Sequence, residues 1–226
     1  MNILGFCALD PERQFEQSLQ SITSVDGLAA LLFDQSDDPC CCWETNVFRK
    51  YQQARTLALA GNYDALMLLE SDMVIPPDAV TQLAALDAPV AYGAYVLRHG
   101  MNVWNACVAL DDFGGFFLTD TIVRENAPHE WNALQAGLPF QVYGSGFGCL
   151  LLRRDVLQEI PFRNSLGARV GDYHVDWLFA ADCNARGIRQ MLNPRVVCGH
   201  VDEDGAILYP DLTQPDYYRR EENYNE

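Results

Sequence analysis

Lysine is nearly missing from this chain. Lys50 is the only one, and the other basic residues are arginines. That alone removes the phosphate-binding loop that must end in Gly-Lys-Ser/Thr. The eight cysteines contain no Cys-x-x-Cys pair. Cys40, Cys41 and Cys42 are consecutive, a spacing that cannot easily turn three sulfurs onto one ion, so a structural zinc site is not expected. No run approaches the roughly 18 consecutive apolar residues needed to cross a bilayer. Between Met1 and Ala8 there is no basic region, and Asp10, Glu12 and Arg13 follow at once. A secretory leader is therefore not expected, which points to free thiols in a reducing, cytoplasmic setting. Positive charge is also scarce: 15 Lys and Arg stand against 31 Asp and Glu, a net −16. Such a surface repels phosphate backbones and anionic lipid heads, so nucleic acid and membranes are poor partners, while a divalent cation suits it.

What is present is enough for one folded domain. The 226 residues are 49% hydrophobic, which excludes disorder. Asn2 to Leu9 reads as a buried strand, Pro11 to Ile22 as a helix, and Leu28 to Phe33 as a second strand. After a polar, Cys-rich loop, Thr45 is the expected N-cap of a helix that turns Val47, Tyr51, Ala54 and Leu57 to the core and stops at Gly61 and Asn62. Ala65 to Leu69 is a continuous apolar run, as in a strand covered on both faces. Pro76 and Pro77 are expected to open the next helix. Further strands are read at Val90 to Leu97, Asn105 to Leu110, Cys149 to Leu152 and Ile188 to Val197. Helices are read near Asp155 to Glu159 and from Gly171 to Ala185. Residues 202–226 hold eight acidic and two basic residues and read as a loosely docked tail. The alternation of strand and helix predicts an α/β, three-layer sandwich with a mixed, mostly parallel central sheet.

The most informative segment runs from Ala65 to Asp78. A buried strand ends in Glu70-Ser71-Asp72, two carboxylates spaced i and i+2. In open α/β sheets ligands bind beyond the carboxyl ends of the strands, and paired carboxylates there attract Mg²⁺ or Mn²⁺. The plain alternative is that both acids cap the next helix or face water. His200 ends another expected strand; it reads as an ordinary histidine or, with Asp72, as a metal contact, and a Cys198-x-His200 zinc pair lacks partner thiols. Gly144-Ser-Gly-Phe-Gly148 lacks the Gly-x-Gly-x-x-Gly spacing of a dinucleotide site and reads as a turn or as a close approach of backbone to a ligand. Arg98 follows a strand at the same sheet edge, where it meets phosphate or solvent. Trp104, Trp131 and Trp177 are either core residues or platforms for a sugar face.

Taken in order, these segments resemble the GT-A fold glycosyltransferases of the family 2-like kind. Tyr51 to Tyr95 is similar to their metal-binding region, with Glu70 in the first place of the acidic triplet. Tyr143 to Asp155 looks like their glycine-rich acceptor loop, and Asp172 to Gly187 like their acid-bearing helix. Asn193 to His200 looks like their terminal strand ending in a metal-binding histidine.

The resemblance implies one catalytic domain over residues 1–201, followed by an acidic tail at 202–226. It implies Asp72, His200 and Glu70 as metal ligands for Mn²⁺ or Mg²⁺, and Glu70, Asp72 and Arg98 around the diphosphate of a nucleotide-sugar donor. Asp176 would be the catalytic base of an inverting hexosyl transfer to an acceptor hydroxyl on a glycan, a lipid-linked molecule or a protein. Asp172 would assist it or cap the helix. Val175 stands where the family carries a second acid. A nucleotidyltransferase shares such a core, but it needs a basic glycine-rich loop that Phe6 to Glu12 does not supply. A carbohydrate- or metal-binding module without turnover is the third reading, favoured by Val175.

Overall fold

The computed structural model describes residues 1–10, 15–98, 104–111, 114–117, 127–164, 175–211 and 218–221. Along the chain the elements are β1 (Ile3–Ala8), α1 (Glu16–Thr23), β2 (Ala30–Asp34), α2 (Trp43–Ala60), β3 (Ala65–Glu70), β4 (Met73–Val74), α3 (Ala79–Ala84) and β5 (Val90–Ala94). They continue with β6 (Ala106–Asp111), β7 (Gly114–Phe117), α4 (Pro128–Gln135), β8 (Phe140–Gln141), β9 (Gly144–Ser145), β10 (Cys149–Arg153) and α5 (Arg154–Glu159). The last are α6 (Val175–Ala185), β11 (Gln190–Val197), β12 (Gly199–Val201), β13 (Ile207–Pro210) and β14 (Tyr218–Glu221).

Seven strands form the central sheet in the order β2-β1-β3-β10-β5-β11-β8. β1 lies parallel to β2 and β3, and β11 parallel to β5, whereas β10 runs antiparallel between β3 and β5 and β8 runs antiparallel on the edge. The architecture is thus mixed α/β with a mainly parallel sheet. Strand alternation explains the continuous apolar runs. Leu66 and Leu68 of β3 join Leu4 and Phe6 in a core with Tyr51, Ala54 and Ala58 of α2, while Met67 and Leu69 join Ile3 and Cys7 in a second core with Ile22, Val80 and Leu83. A strand buried on both sides has no polar face to show. Helices α2, α4, α5 and α6 contribute to the first core, α1 and α3 to the second. That is the three-layer arrangement.

Several local expectations change. Helix α2 begins at Trp43, because Cys42 is extended (φ −66, ψ 162) and its carbonyl accepts the Asn46 N–H at 3.2 Å. Thr45 therefore lies inside the first turn. Pro76 and Pro77 sit ahead of α3, where Pro76 O accepts the Ala79 N–H at 3.0 Å and Pro77 O is drawn aside to the Asp26 N–H at 2.8 Å. Helix α1 starts at Glu16, and residues 11–14 of the expected helix fall outside the described residues.

The largest change concerns the tail. β13 and β14 pair with β12 and β4 in a four-stranded antiparallel sheet, and Ala206, Ile207 and Leu208 are buried. A high charge density had masked a short apolar strand whose burial fixes it. A third sheet, β7-β6-β9, completes the fold. Among the described residues no helix is long and apolar enough to cross a membrane, and all eight cysteines are free thiols.

Candidate functional site

Three strand ends converge where the parallel strands finish. β3 delivers Glu70-Ser71-Asp72, and the chain then reverses into β4. β12 pairs antiparallel with β4, with Gly199 opposite Val74 and His200 opposite Met73. The Val201 N–H also donates to Asp72 O at 2.8 Å. Backbone hydrogen bonds thereby fix two side chains that lie 128 positions apart: His200 Nε2 stands 3.5 Å from Asp72 Oδ2. Arg98, beyond β5, brings Nη1 to 3.3 Å from the same oxygen. All three side chains are largely buried, at 9% exposure for Asp72, 8% for His200 and 15% for Arg98.

The polar groups here are unevenly satisfied. His200 Nδ1 lies 2.8 Å from the Val96 carbonyl. A carbonyl only accepts, so Nδ1 carries a proton toward Val96 and Nε2 is the ring nitrogen that faces Asp72. The Tyr95 ring meets the imidazole edge-on, with centroids 5.6 Å apart. Asp72 Oδ1 is buried, with no hydrogen-bond partner among the described residues. A bare, buried carboxylate oxygen is costly. An imidazole nitrogen oriented by its other ring nitrogen, beside an orphaned carboxylate oxygen, is a pairing of groups that suits a divalent cation. Asp72 and His200 form a pair and no more: among the described residues no group of three or more His, Cys, Asp or Glu side chains is placed to hold an ion by itself.

Glu70 turns elsewhere. The Tyr51 hydroxyl, on α2 and 1% exposed, donates to Glu70 Oε1 at 2.6 Å. Burial first, then the Asp72 charge, pushes the Glu70 carboxyl up to about 7, against the Tyr51 hydrogen bond that favours its ionised form. For Asp72, burial again opposes ionisation, but the His200 and Arg98 nitrogens outweigh it and hold the carboxyl below the usual carboxylate range. Tyr51 is a residue sequence reasoning placed in the core without seeing its hydroxyl's role.

The cleft beside these groups is open and holds about 70 Å³ of space for water-sized groups, lined by Asp10, Val47, Tyr51, Glu70, Asp72 and Arg98 among others. Asp10 enters through its backbone N–H, which donates to Ser71 Oγ at 3.0 Å. The single lysine is structural. Lys50 is 2% exposed, donates to the Leu9 carbonyl and pairs with Asp37 at 2.8 Å, which ties the end of β1 to the loop after β2.

The glycine loop packs between α6 and Tyr95. Two of its glycines are required by close approach. A Cβ on Gly144 would lie 2.4 Å from the Ala180 Cβ of α6, and one on Gly146 would lie 2.3 Å from the Tyr95 hydroxyl. The Gly148 N–H donates to that hydroxyl at 3.2 Å. Phe147 sits beneath, with ring centroids 5.2 Å from Tyr51 and 5.5 Å from Phe179 of α6.

Asp176, in the first turn of α6, lines a crevice with Asn105, Ser145 and Trp177. Its charge is near enough to Glu70 to raise that carboxyl further. Asp172, like His174, lies outside the described residues. Of the tryptophans, Trp104 and Trp131 belong to the core at 1% and 8% exposure, which leaves Trp177 beside the crevice.

No family model matches this sequence, and no curated protein matches it. Among solved structures, protein A197 from STIV is similar with a TM-score of 0.59 and 15% identity, over 99% of this chain and 96% of that one. S. aureus TarS 1-349, crystallised in complex with UDP-GlcNAc, is similar with a TM-score of 0.45 and 11% identity, over 85% of this chain and 56% of that one. At such identities the likeness is one of fold. For A197 that likeness agrees with what the sheet order shows, a mixed α/β chain with a mainly parallel central sheet.

Proposed function

We propose that this chain is a metal-dependent glycosyltransferase that moves a sugar from a nucleotide-diphosphate sugar to an acceptor hydroxyl. One observation carries the reading. At the carboxyl edge of the parallel strands, Asp72 and His200 face each other at 3.5 Å with Asp72 Oδ1 buried and bare.

Asp72 and His200 would hold Mn²⁺ or Mg²⁺, hard cations that accept one or two protein ligands and take the rest of their shell from phosphate and water oxygens. When bound, such an ion offsets the negative charge that gathers on a departing diphosphate. Arg98 supplies a second positive charge at the same place. Glu70 is held by Tyr51 at the cleft wall, where it adds negative potential behind Asp72 and so favours the cation. On the acceptor side Asp176 takes the proton from the attacking hydroxyl, and Trp177 offers an aromatic edge for a sugar. The Tyr95 hydroxyl holds the glycine loop through the Gly148 N–H.

A thermal-shift panel of nucleoside diphosphates with and without Mn²⁺, followed by a donor-hydrolysis assay, tests the reading. Stabilisation by one nucleotide that needs Mn²⁺ and disappears in Asp72→Ala is the expected result, since a ligand that binds only the folded state raises its melting temperature. Full metal affinity and activity in Asp72→Ala would overturn it. Metal-dependent binding with neither hydrolysis nor transfer would instead identify a module without turnover.

A further inference from the structure

Asp72 meets two partners of different kinds, and their geometry differs from an ordinary buried ion pair. A latched, charge-assisted bond between a guanidinium and a carboxylate is about 2.7–2.9 Å long and often two-pronged. Arg98 approaches at 3.3 Å, to the same oxygen that faces His200, and leaves Oδ1 with no hydrogen-bond partner among the described residues. The guanidinium thus neutralises Asp72 without saturating it. It also lines the open cleft beside Asp10, Ser71 and Tyr51, so space for another orientation adjoins it.

We infer that Arg98 is the resident counter-ion of Asp72, displaced when a divalent cation binds and re-engaged by the diphosphate of the donor. The inference rests on the functional reading above. Like charges repel strongly in a site this buried, so an ion held on Asp72 disfavours the guanidinium at its side. An anionic ligand then draws Arg98 off the carboxylate. By linkage, if a diphosphate that draws Arg98 away raises the affinity of Asp72 for the cation, the cation raises the affinity for the diphosphate by the same factor. Arg98 therefore weakens metal binding in the absence of donor and makes cation and diphosphate help each other. It is a positioning residue for the cation and a direct contact for the phosphates.

The experiment is calorimetric titration of the full chain with Mn²⁺ alone and then with a nucleoside diphosphate in the presence of a chelator, for the native protein, Arg98→Met and Arg98→Lys. Arg195→Met, which removes an exposed arginine bonded to the Gly137 carbonyl, controls for net charge. Circular dichroism melts establish folding. The expected result is Mn²⁺ binding about tenfold tighter in Arg98→Met than in the native protein or in Arg195→Met, with weaker metal-free diphosphate binding. Arg98→Lys, which keeps a charge there, should stay near the native Mn²⁺ affinity. Equal or weaker Mn²⁺ binding in Arg98→Met overturns the counter-ion role while leaving the metal site standing. Where Arg98→Met does not fold, an Mn²⁺ affinity in Arg98→Lys at least as far below native as that of Asp72→Ala overturns it, and a near-native one upholds it. If the folded native protein and folded Arg98→Met both fail to bind Mn²⁺, the metal reading itself is wrong and this inference falls with it.

Discussion

Glu70 and Asp72 are two residues apart at the end of one strand, yet their surroundings push them in opposite directions. Asp72 is flanked by the His200 imidazole and the Arg98 guanidinium, which hold its carboxyl below the usual range. Glu70 turns to the Tyr51 hydroxyl over the core aromatics, and burial lifts it to about 7. The pair shows why an acidic triplet is a poor guide by itself. One acid is the cation ligand proposed above, and the other is raised by burial against the hydrogen bond that Tyr51 donates to it. What separates them is the reversal at Ser71-Asp72 into β4, which hands Asp72 to β12 and leaves Glu70 with α2.

The strongest way to break this contrast is Asp72→Ala. It removes the shared partner of His200 and Arg98, and donor turnover should fall by about a hundredfold or more, as when one element of a charge-stabilising clamp is lost. A steady-state assay at saturating Mn²⁺ checks it, and retained turnover would place the cation elsewhere.

Phe147→Ala comes next. That ring packs against both Tyr51 and Phe179, so it couples the Glu70 side to the helix carrying Asp176. Truncating a fully buried phenylalanine should cost about 3–5 kcal/mol in chemical denaturation. Activity in the remaining folded fraction should drop as well, because Tyr51, which holds Glu70, and Phe179, on the helix that carries Asp176, lose their common support.

Much of this was legible in the chain and some was not. The run Ala65 to Leu69 announces a doubly buried strand because it contains no polar residue for a wet face. Asp72 and His200 are readable as candidates because strand ends face the ligand edge. Their partnership is not: it depends on β4, two residues long, pairing with β12 across more than a hundred residues. Tyr51 shows the same gap, since helical spacing assigns its ring to the core but says nothing of where the hydroxyl ends. Residues 206–208 were hidden for a different reason, a short apolar strand set among acids whose burial outweighs the local charge. The Val175 position, where a second acid was expected, opens α6 as a core residue at 9% exposure, so Asp176 alone carries the proton-accepting role proposed for that turn.

Tyr51→Phe sharpens the contrast more gently. Losing the donated hydrogen bond removes one of the interactions that favour ionised Glu70, so its carboxyl should titrate higher still, by about one unit, in a carbon-detected NMR titration. An unchanged value would mean that the hydroxyl does not govern Glu70.

The smallest effect is in the pH profile of stability. Glu70 is raised in the folded protein from 4.5 to about 7, so the native state keeps a proton that the unfolded chain has released. This group therefore favours folding fully below 4.5 and loses that contribution as pH rises toward 7. Glu70→Gln should flatten the fall in melting temperature over that window, measured without metal. A fall as steep as in the native protein would assign it to another group.

The most direct measurement uses the histidines. In a ¹⁵N-labelled sample, substoichiometric Mn²⁺ should broaden the His200 ring resonances first while those of His129, exposed on α4, stay sharp, and Asp72→Ala should abolish the difference. Sharp His200 signals at saturating Mn²⁺, or equal broadening at both rings, would contradict a cation held between Asp72 and His200.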